Sequence, residues 1–315
     1  MNDENNLNAT LVEVAQLYYE KSLSQQEIAN RLGVSRPLIA LYVKKARERG
    51  IVRIEVRNPS LIRIDLAEQI CQKYGVKRAT VVPTSRTSLE LTRLHLGKVA
   101  AQLLEGCLQD GDVIGLGWGR SIESVITQLE STSPRKLEVV PLMGENSNND
   151  TFTQVNFLVK QVASNFGGKP FFLLAPMVST TSQLRKAMTK DRTIRLAIDR
   201  WDHLSVACLG IGALPPAPGQ VLYVDRATAN SLLKAKAVGD MVARYFDING
   251  CQIKNQLEDR MLGISFKQLK RVPRVLVVAN GVEKSKALAG ALHIGIITDL
   301  FVDEDLANAT LQEWG

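Results

Sequence analysis

A glycine-rich stretch at residues 115–121 has the residue types and spacing of an anion-binding loop. It reads Gly-Leu-Gly-Trp-Gly-Arg-Ser and lies between an apolar run and a segment with helical periodicity. Glycines let the backbone approach an anion closely, and the free N–H groups at the start of a helix favour negative charge. The arginine and serine would add a charge and a hydroxyl group, and the alternative is a tight turn that binds nothing. The residues predicted to hold a phosphate are Gly117, Trp118, Gly119, Arg120 and Ser121.

A dinucleotide fits this loop less well than a simple phosphate does. The G-x-G-x-x-G fingerprint, counted from Gly115, requires glycine at the position that Arg120 occupies. An NAD-binding redox sensor is therefore disfavoured.

Two further segments place polar residues directly after apolar runs. Gly144 and Glu145 follow the run 137–142 and belong to a polar stretch suited to sugar hydroxyl groups. Lys284 follows the run 275–279, where a lysine can serve as a point charge for phosphate. A solvated lysine is equally compatible with this pattern.

Two acidic positions are harder to interpret. Asp240 lies in residues 230–246, which we predict to be helical, so its carboxylate would be either an N-cap or an acceptor for a sugar hydroxyl group. Thr298 and Asp299 end a predicted strand at 294–298, where helix capping is the expected role.

Metal and triad chemistry have little support. The four cysteines and three histidines are scattered along the chain and match no metal-ligand spacing. In a chain of this size the cysteines are expected to be reduced core thiols. We therefore expect no metal and no cofactor.

Apolar runs alternate with helical segments over the last 255 or so residues, which predicts a parallel α/β sheet buried on both faces. Ligands of such sheets bind beyond the carboxyl ends of the strands, so the polar segments above would meet at one edge. Predicted helices include 89–108 and 122–129. The predicted strands are 79–82, 113–116, 137–142, 171–174, 204–209, 275–279 and 294–298.

The positive charge is concentrated near the N-terminus. The chain of 315 residues carries a net charge of +7. Residues 21–57 contain nine basic and three acidic residues, so they contribute +6 and the rest about +1. A short basic segment is typical of a small module that neutralises DNA phosphates, although a solvated helix face would look similar.

The same segment shows the order of a helix-turn-helix. Helices are predicted at 7–20 and 25–32, and a third helix, with Ser35 as its N-cap, runs to about Arg49. A capping box at residues 24–27 opens the second helix, and Gly33 is suited to end it. Alternating apolar and polar residues at 51–57 predict a strand, which would form a wing.

The third helix would enter the major groove of DNA. Arg36, near its start, is the best candidate for reading a base, since arginine can bind guanine O6 and N7 together. The alternative is a three-helix cap with a basic surface. The predicted DNA-binding residues are Ser24, Gln25, Ser35, Arg36, Tyr42, Lys44, Lys45 and Arg47.

Membrane association is not expected. No run of 18 apolar residues occurs, and the first six residues are polar and lack the apolar core of a signal peptide. We therefore expect a cytoplasmic protein.

Taken together, the motifs resemble the SorC/DeoR-type sugar-binding transcriptional regulators of bacteria over nearly the whole chain. The resemblance implies a Rossmann-like effector domain related to sugar-phosphate isomerases, a phosphorylated sugar as effector, and homodimers or homotetramers on palindromic operators. In this family the glycine loop would take the phosphate, and Asp240 and Lys284 match positions that contact the sugar phosphate. The motifs that carry it lie at residues 15–19, 24–29, 32–37, 50–52, 111–115, 117–120, 210–212, 237–240, 246–247, 281–284 and 297–299.

Three positions depart from the family pattern. Ala40 and Leu41 stand where Ser-Arg is often found, which removes a base-reading arginine and suggests a different operator. Asn280 replaces a glycine. Met143 stands where one branch has a lysine able to form an imine with an aldehyde sugar, so reversible binding is expected.

The sequence thus predicts a winged-type helix-turn-helix domain at residues 1–57 and an α/β Rossmann-like effector and oligomerisation domain at 58–315. The favoured function is a DNA-binding transcriptional regulator of a carbohydrate or polyol operon, with operator DNA and a phosphorylated sugar or polyol as partners. The alternative is a sugar-phosphate isomerase-like enzyme with an appended DNA-binding domain, in which Asp240 and Lys284 would be acid/base groups.

Overall fold

The computed structural model describes residues 2–52, 62–130, 134–145, 154–214 and 224–313. The chain divides into two compact units, Met1–Pro59 and Ser60–Gly315. Within the described residues, no helix combines the length and the apolarity needed to cross a membrane.

The N-terminal unit is helical. Helix α1 (Asn2–Ala15) continues into a π-helical turn (Gln16–Glu20), followed by α2 (Gln25–Leu32) and α3 (Arg36–Glu48). Its core consists of apolar side chains at helical spacing, which explains why three short helices hold together. These core residues are Leu11, Val14, Ala15, Ile28, Ala29, Ile39, Val43 and Ala46.

The predicted boundaries of α2 are confirmed. The Ser24 hydroxyl accepts a hydrogen bond from the N–H of Glu27, and the Glu27 carboxylate accepts one from the N–H of Ser24. Gly33 ends the helix at φ 66°, a left-handed conformation that glycine adopts without strain.

Two predictions for this unit need correction. Ser35 occupies the N-cap position of α3, but its hydroxyl makes no capping hydrogen bond to that helix, all of which is described. Ile51 and Val52 form a bend rather than the start of a strand, since the N–H of Val52 bonds back to the carbonyl of Ala46. The rest of the predicted wing, residues 53–57, lies outside the described residues.

The second unit contains a seven-stranded parallel sheet, as predicted. Its strand order is β1-β10-β9-β5-β2-β3-β4. The strands are β1 (Arg78–Val82), β2 (Val113–Leu116), β3 (Glu138–Pro141), β4 (Lys169–Pro170), β5 (Val206–Gly210), β9 (Arg274–Ala279) and β10 (Asp299–Asp303). Three more strands, β6 (Gly212–Ala213), β7 (Ala237–Met241) and β8 (Arg244–Asp247), form a small antiparallel sheet.

Helices cover both faces of the large sheet, which accounts for the continuously apolar strands. Helices α5 (Leu89–Cys107), α6 (Arg120–Ile126) and α7 (Val155–Phe166) pack on one face. Helices α4 (Ile64–Tyr74), α12 (Ser285–His293) and α13 (Glu304–Gln312) pack on the other. The remaining helices are α8 (Ser182–Met188), α9 (Arg192–Ile198), α10 (Arg226–Lys234) and α11 (Phe266–Leu269).

The predicted helix at 230–246 is wrong beyond Lys234. Lys236 has φ 60°, which ends the helical path, and residues 237–247 form the β7–β8 hairpin instead. Its turn residues Val242 and Ala243 have φ 49° and 58°. Such turns normally use Asn-Gly, so this sequence carried no hairpin signal.

The last predicted strand is also misplaced, because residues 294–297 are apolar connectors and β10 begins at Asp299. The carboxylate of Asp299 is 4% exposed and lies 3.8 Å from Arg78 and 3.5 Å from Arg274. It therefore makes ion pairs at the start of a strand, and its predicted role in helix capping is wrong. Asp303, at the other end of β10, caps α13.

The predicted strand at 171–174 is displaced as well. Regular pairing stops at Pro170, and the N–H and carbonyl of Leu173 bond to the side-chain amide of Asn156. A side chain on α7 thus replaces a neighbouring strand at this sheet edge.

Candidate functional site

The candidate effector site lies at the carboxyl edge of the large sheet. The loops that leave β2, β3 and β9 there begin with residues 117, 142 and 280. Strands β2 and β3 are neighbours, and β5 separates β2 from β9. The topology therefore brings the predicted segments of the sequence to one edge.

The glycine loop after β2 connects that strand to the start of α6. The N–H of Gly117 donates to the Cys208 carbonyl at 2.8 Å, which fixes the loop to β5. Gly119 is the N-cap of α6 at φ 121°, and open space surrounds the position of its missing side chain. Because Gly119 has no side chain, it cannot cap the first N–H groups of α6.

The remaining residues of the glycine loop, 118, 120 and 121, differ in how far they are exposed to solvent. Arg120 is exposed. Ser121 is 7% exposed, and its hydroxyl donates to the Asn280 side chain at 3.4 Å. Trp118 is half-buried and packs against the apolar residues of both sheet faces. The loop after β2 is thus joined to the loop after β9 through Ser121 and Asn280.

Lys284 is held by a short turn whose backbone is fixed. The N–H of Gly281 (φ 97°) donates to the buried carboxylate of Asp303 at 2.8 Å, and residues Val282–Lys284 form a 3-10 turn. Burial lowers the pKa of Lys284 below the ordinary value for lysine. The charges of Arg120 and Arg93 lower it further, and the carboxylates of Glu283 and Asp303 oppose this shift.

Arg93 is a basic residue of the site that sequence reasoning missed. Burial lowers its pKa, and the positive charge of Arg120 adds to this effect. Helix α5 carries Arg93 close to α6, since the Ser124 hydroxyl donates to the Arg93 carbonyl at 3.0 Å. A side chain at Gly97 would overlap the Ser124 backbone, so glycine permits this approach. We call Arg93, Arg120 and Lys284 the cation cluster.

Glu145 lies in the loop that follows β3. One carboxylate oxygen accepts the Asn156 N–H at 2.9 Å, while Oε2 is buried and has no hydrogen-bond partner among the described residues. Burial raises the pKa of Glu145, and the bonds from Asn156 and Val155 partly offset this. Gly144 is required by packing, because a side chain there would lie 2.6 Å from the Ala175 carbonyl.

Asp240 lies on β7, so the proposed N-cap role is wrong. Its carboxylate is 6% exposed and accepts the Ala243 N–H at 2.9 Å, across the β7–β8 turn. Strand β7 pairs with β6, which follows the carboxyl end of β5. Gly239 lets β7 approach Ala287, in the first turn of the helix that follows Lys284. Asp240 therefore lies at the same edge of the sheet as the cation cluster.

In the N-terminal unit, α3 presents part of the predicted DNA-binding set to solvent. Ser35, Arg36, Lys44 and Arg47 are exposed, and Lys44 lies 3.6 Å from Glu48. Lys45 is half-buried.

Two of the predicted DNA-binding residues, Ser24 and Tyr42, have structural roles in this unit. Ser24 is occupied in the capping box. Gln25 is half-buried at the start of α2. Tyr42 is half-buried and packs against the helical core.

The described residues contain no group of three or more His, Cys, Asp or Glu side chains able to hold a metal ion. The groups described at this sheet edge are cations, backbone N–H groups and carboxylate oxygens.

Comparison with known proteins gives matches over both units. Residues 60–312 match the family described as "Putative sugar-binding domain", and residues 15–53 match a winged helix-turn-helix DNA-binding family. The sorbitol operon regulator of Klebsiella pneumoniae is 30% identical over 96% of this chain and 97% of its own length. The deoxyribonucleoside regulator of Bacillus subtilis is 28% identical over 96% and 97%.

Solved structures give the same result. The crystal structure of the full-length sorbitol operon regulator from Klebsiella pneumoniae matches with a TM-score of 0.78 and 28% identity, over 96% of this chain and 98% of that one. A probable sor operon regulator from Shigella flexneri matches 79% of this chain and 98% of its own, with a TM-score of 0.74 and 26% identity. The chain therefore belongs to the SorC/DeoR-type family of transcriptional regulators, which join a helix-turn-helix to a sugar-binding domain.

Proposed function

We propose that the effector of this transcriptional regulator is a phosphorylated sugar or polyol, bound reversibly at the carboxyl edge of the large sheet. The observation that carries the proposal is the cation cluster beside the glycine loop. Burial is the main cause of the lowered pKa values of Lys284 and Arg93, and repulsion from the neighbouring positive charges of the cluster adds to it. A phosphate dianion would relieve this repulsion, which gives the site a preference for a doubly charged group.

The glycine loop would supply the remaining phosphate contacts. The backbone N–H groups of Gly119, Arg120 and Ser121 lie at the uncapped start of α6, next to the open space at Gly119. In this arrangement Lys284 and Arg120 provide charge, and Ser121 turns from Asn280 to a phosphate oxygen.

The sugar or polyol part would extend towards the carboxylates. The unpartnered Oε2 of Glu145 can accept a hydrogen bond from a hydroxyl group, and the Asp240 carboxylate on β7 can accept another. A buried acceptor without a partner is costly, so a hydroxyl donor at Glu145 would add to affinity. Met143 is 3% exposed and has no amine, so no imine can form at that position.

The N-terminal unit would bind operator DNA with α3 in the major groove. Operator recognition as a homodimer or homotetramer would place two copies of α3 about 34 Å apart on successive half-sites. Effector binding would then change DNA affinity only to the extent that it favours one assembly over another. Operator binding of this kind takes place in the bacterial cytoplasm.

The second candidate function is that of a sugar-phosphate isomerase-like enzyme with an appended DNA-binding domain. The observation that favours it is the lowered pKa of Lys284, since a lysine with a lowered pKa can act as a general base near neutral pH. Turnover of a sugar phosphate by purified protein, abolished in Lys284→Gln, would establish it.

Thermal-shift screening tests the effector proposal directly. The purified chain is heated with glucitol 6-phosphate, fructose 6-phosphate and 2-deoxyribose 5-phosphate, each beside its unphosphorylated counterpart. A ligand that binds only the folded state adds about 2.7 kcal/mol of stability at a hundredfold excess over Kd. We expect stabilisation by at least one phosphorylated compound and little by its counterpart. Equal stabilisation by both members of every pair would contradict the proposal.

A further inference from the structure

The surface of α3 contains an apolar side chain where a DNA-binding helix contacts bases. Ile39, Val43 and Ala46 are buried and define the inner face of this helix. Leu41 lies on the opposite face and is 43% exposed. It is the sixth residue of α3, within the two N-terminal turns that reach base edges in helix-turn-helix proteins.

Leu41 is part of a short exposed apolar strip. Pro37, one helical turn earlier, is exposed, and Val34, in the turn before α3, is 37% exposed. Isolated apolar residues are ordinary on protein surfaces. Pro37 and Leu41 are four residues apart on α3, which places them on one face of that helix, and Val34 lies in the turn that leads into it.

The charges around the strip indicate which kind of molecule it contacts. Arg36, Lys44 and Arg47 are exposed on the same helix, in the segment that carries most of the net charge of the chain. Such a basic surface favours the phosphates of DNA over an apolar protein partner. Within the major groove the apolar feature of the bases is the C5-methyl group of thymine, which aliphatic side chains contact.

We propose that Leu41 recognises a thymine methyl group in each operator half-site, beside a base read by Arg36. The operator would therefore carry an A·T pair at the position that the second turn of α3 contacts. Leucine offers no hydrogen-bond donor or acceptor, so discrimination there depends on the methyl group alone. This inference rests on the proposed binding of operator DNA by α3.

The test uses deoxyuridine, which differs from thymidine only by lacking this methyl group. The operator is first selected from a random duplex library with the full-length protein. Each thymine of one half-site is then replaced by deoxyuridine, and affinity is measured by fluorescence anisotropy. We expect about a fourfold loss at one position for wild type, and less than twofold at that position for Leu41→Ala.

Val12→Ala is the matched control, because Val12 is also apolar and 40% exposed but lies on α1. It should retain the wild-type loss at the same position. The inference is overturned if every thymine tolerates deoxyuridine in the wild-type complex, or if the loss persists in Leu41→Ala. Failure to select any sequence would contradict operator binding itself, and the role of Leu41 with it.

Discussion

Replacing Lys284 with glutamine removes one charge from the cation cluster and leaves a polar side chain of similar length. The backbone of this turn is fixed by the bond from the Gly281 N–H to Asp303, which the substitution does not touch. Burial and neighbouring positive charge both oppose the charged form of Lys284 in the folded protein. We therefore expect Lys284→Gln to fold with at least the stability of wild type.

The effect on effector affinity should be large. A hydrogen bond between an ammonium group and a phosphate contributes about 1.5–3 kcal/mol, which corresponds to roughly a 10-fold to 150-fold increase in Kd. Isothermal titration calorimetry with the phosphorylated compound found by thermal shift measures this directly. Lys286→Gln is the control, since Lys286 is exposed two residues further along, and it should change Kd by less than about twofold.

The pH dependence gives an independent check of the same residue. A bound phosphate dianion favours the charged lysine, so its pKa rises on binding and a proton is taken up. Affinity of the wild type should therefore fall as pH rises through the lowered pKa of Lys284 towards the ordinary lysine value of 10.5. Phosphate monoesters are already dianions above about pH 7, so Lys284→Gln should show a flat profile between about pH 7.5 and 9.5.

Two results would refute this reasoning. One is an unchanged Kd for the phosphorylated compound in Lys284→Gln. The other is that Lys284→Gln loses affinity equally for a phosphorylated compound and for its unphosphorylated counterpart. Lys284 would then contact a part of the ligand other than its phosphate.

Three further substitutions test other parts of the account. Arg93→Gln should raise the Kd for the phosphorylated compound by about threefold to tenfold, and an unchanged Kd in calorimetry would remove Arg93 from the site. Gly97→Ala places a side chain against the Ser124 backbone and should cost about 1–3 kcal/mol of stability, measured by urea denaturation; no loss would mean that α5 and α6 can separate freely. Ser24→Ala removes the N-cap of α2 and should cost about 1 kcal/mol, seen as faster hydrogen exchange of the α2 amides, with unchanged exchange as the contrary result.

The parts of the fold that the sequence predicts well are those fixed by local chemistry. The capping box at Ser24 and the left-handed Gly33 determine the ends of α2 from a few neighbouring residues. Strands such as β2 and β9 are buried on both faces, so their continuous apolar runs identify them.

The failures occur where distant contacts override local pattern. Residues 294–297 are as apolar as a strand, but Asp299 starts β10 because Arg78 and Arg274 neutralise its buried carboxylate. The β7–β8 hairpin turns through Val242 and Ala243, which local propensity would not select, and the Asp240 carboxylate stabilises that turn.

The candidate site shows the same division. Candidate site residues in the loops that follow strands, such as Arg120 and Lys284, could be found from the sequence. The carboxyl ends of parallel strands lie at one edge of a sheet, so these loops are neighbours. Arg93 could not be found from the sequence, because its position depends on how closely α5 packs on α6, and Gly97 sets that distance. The sequence likewise does not show that one carboxylate oxygen of Glu145 lacks a hydrogen-bond partner among the described residues, because this depends on which N–H groups lie near it in the folded chain.

The central claim, that phosphate binding in the second unit controls DNA binding by the first, is tested by one titration. A fluorescent operator duplex is bound to the full-length protein, and the phosphorylated compound identified by thermal shift is added while anisotropy is followed. We expect operator affinity to change with saturation of the effector site in wild type, and Lys284→Gln to require roughly 10-fold to 150-fold more effector for the same change. Operator affinity that stays constant while the compound saturates the wild-type protein would contradict it.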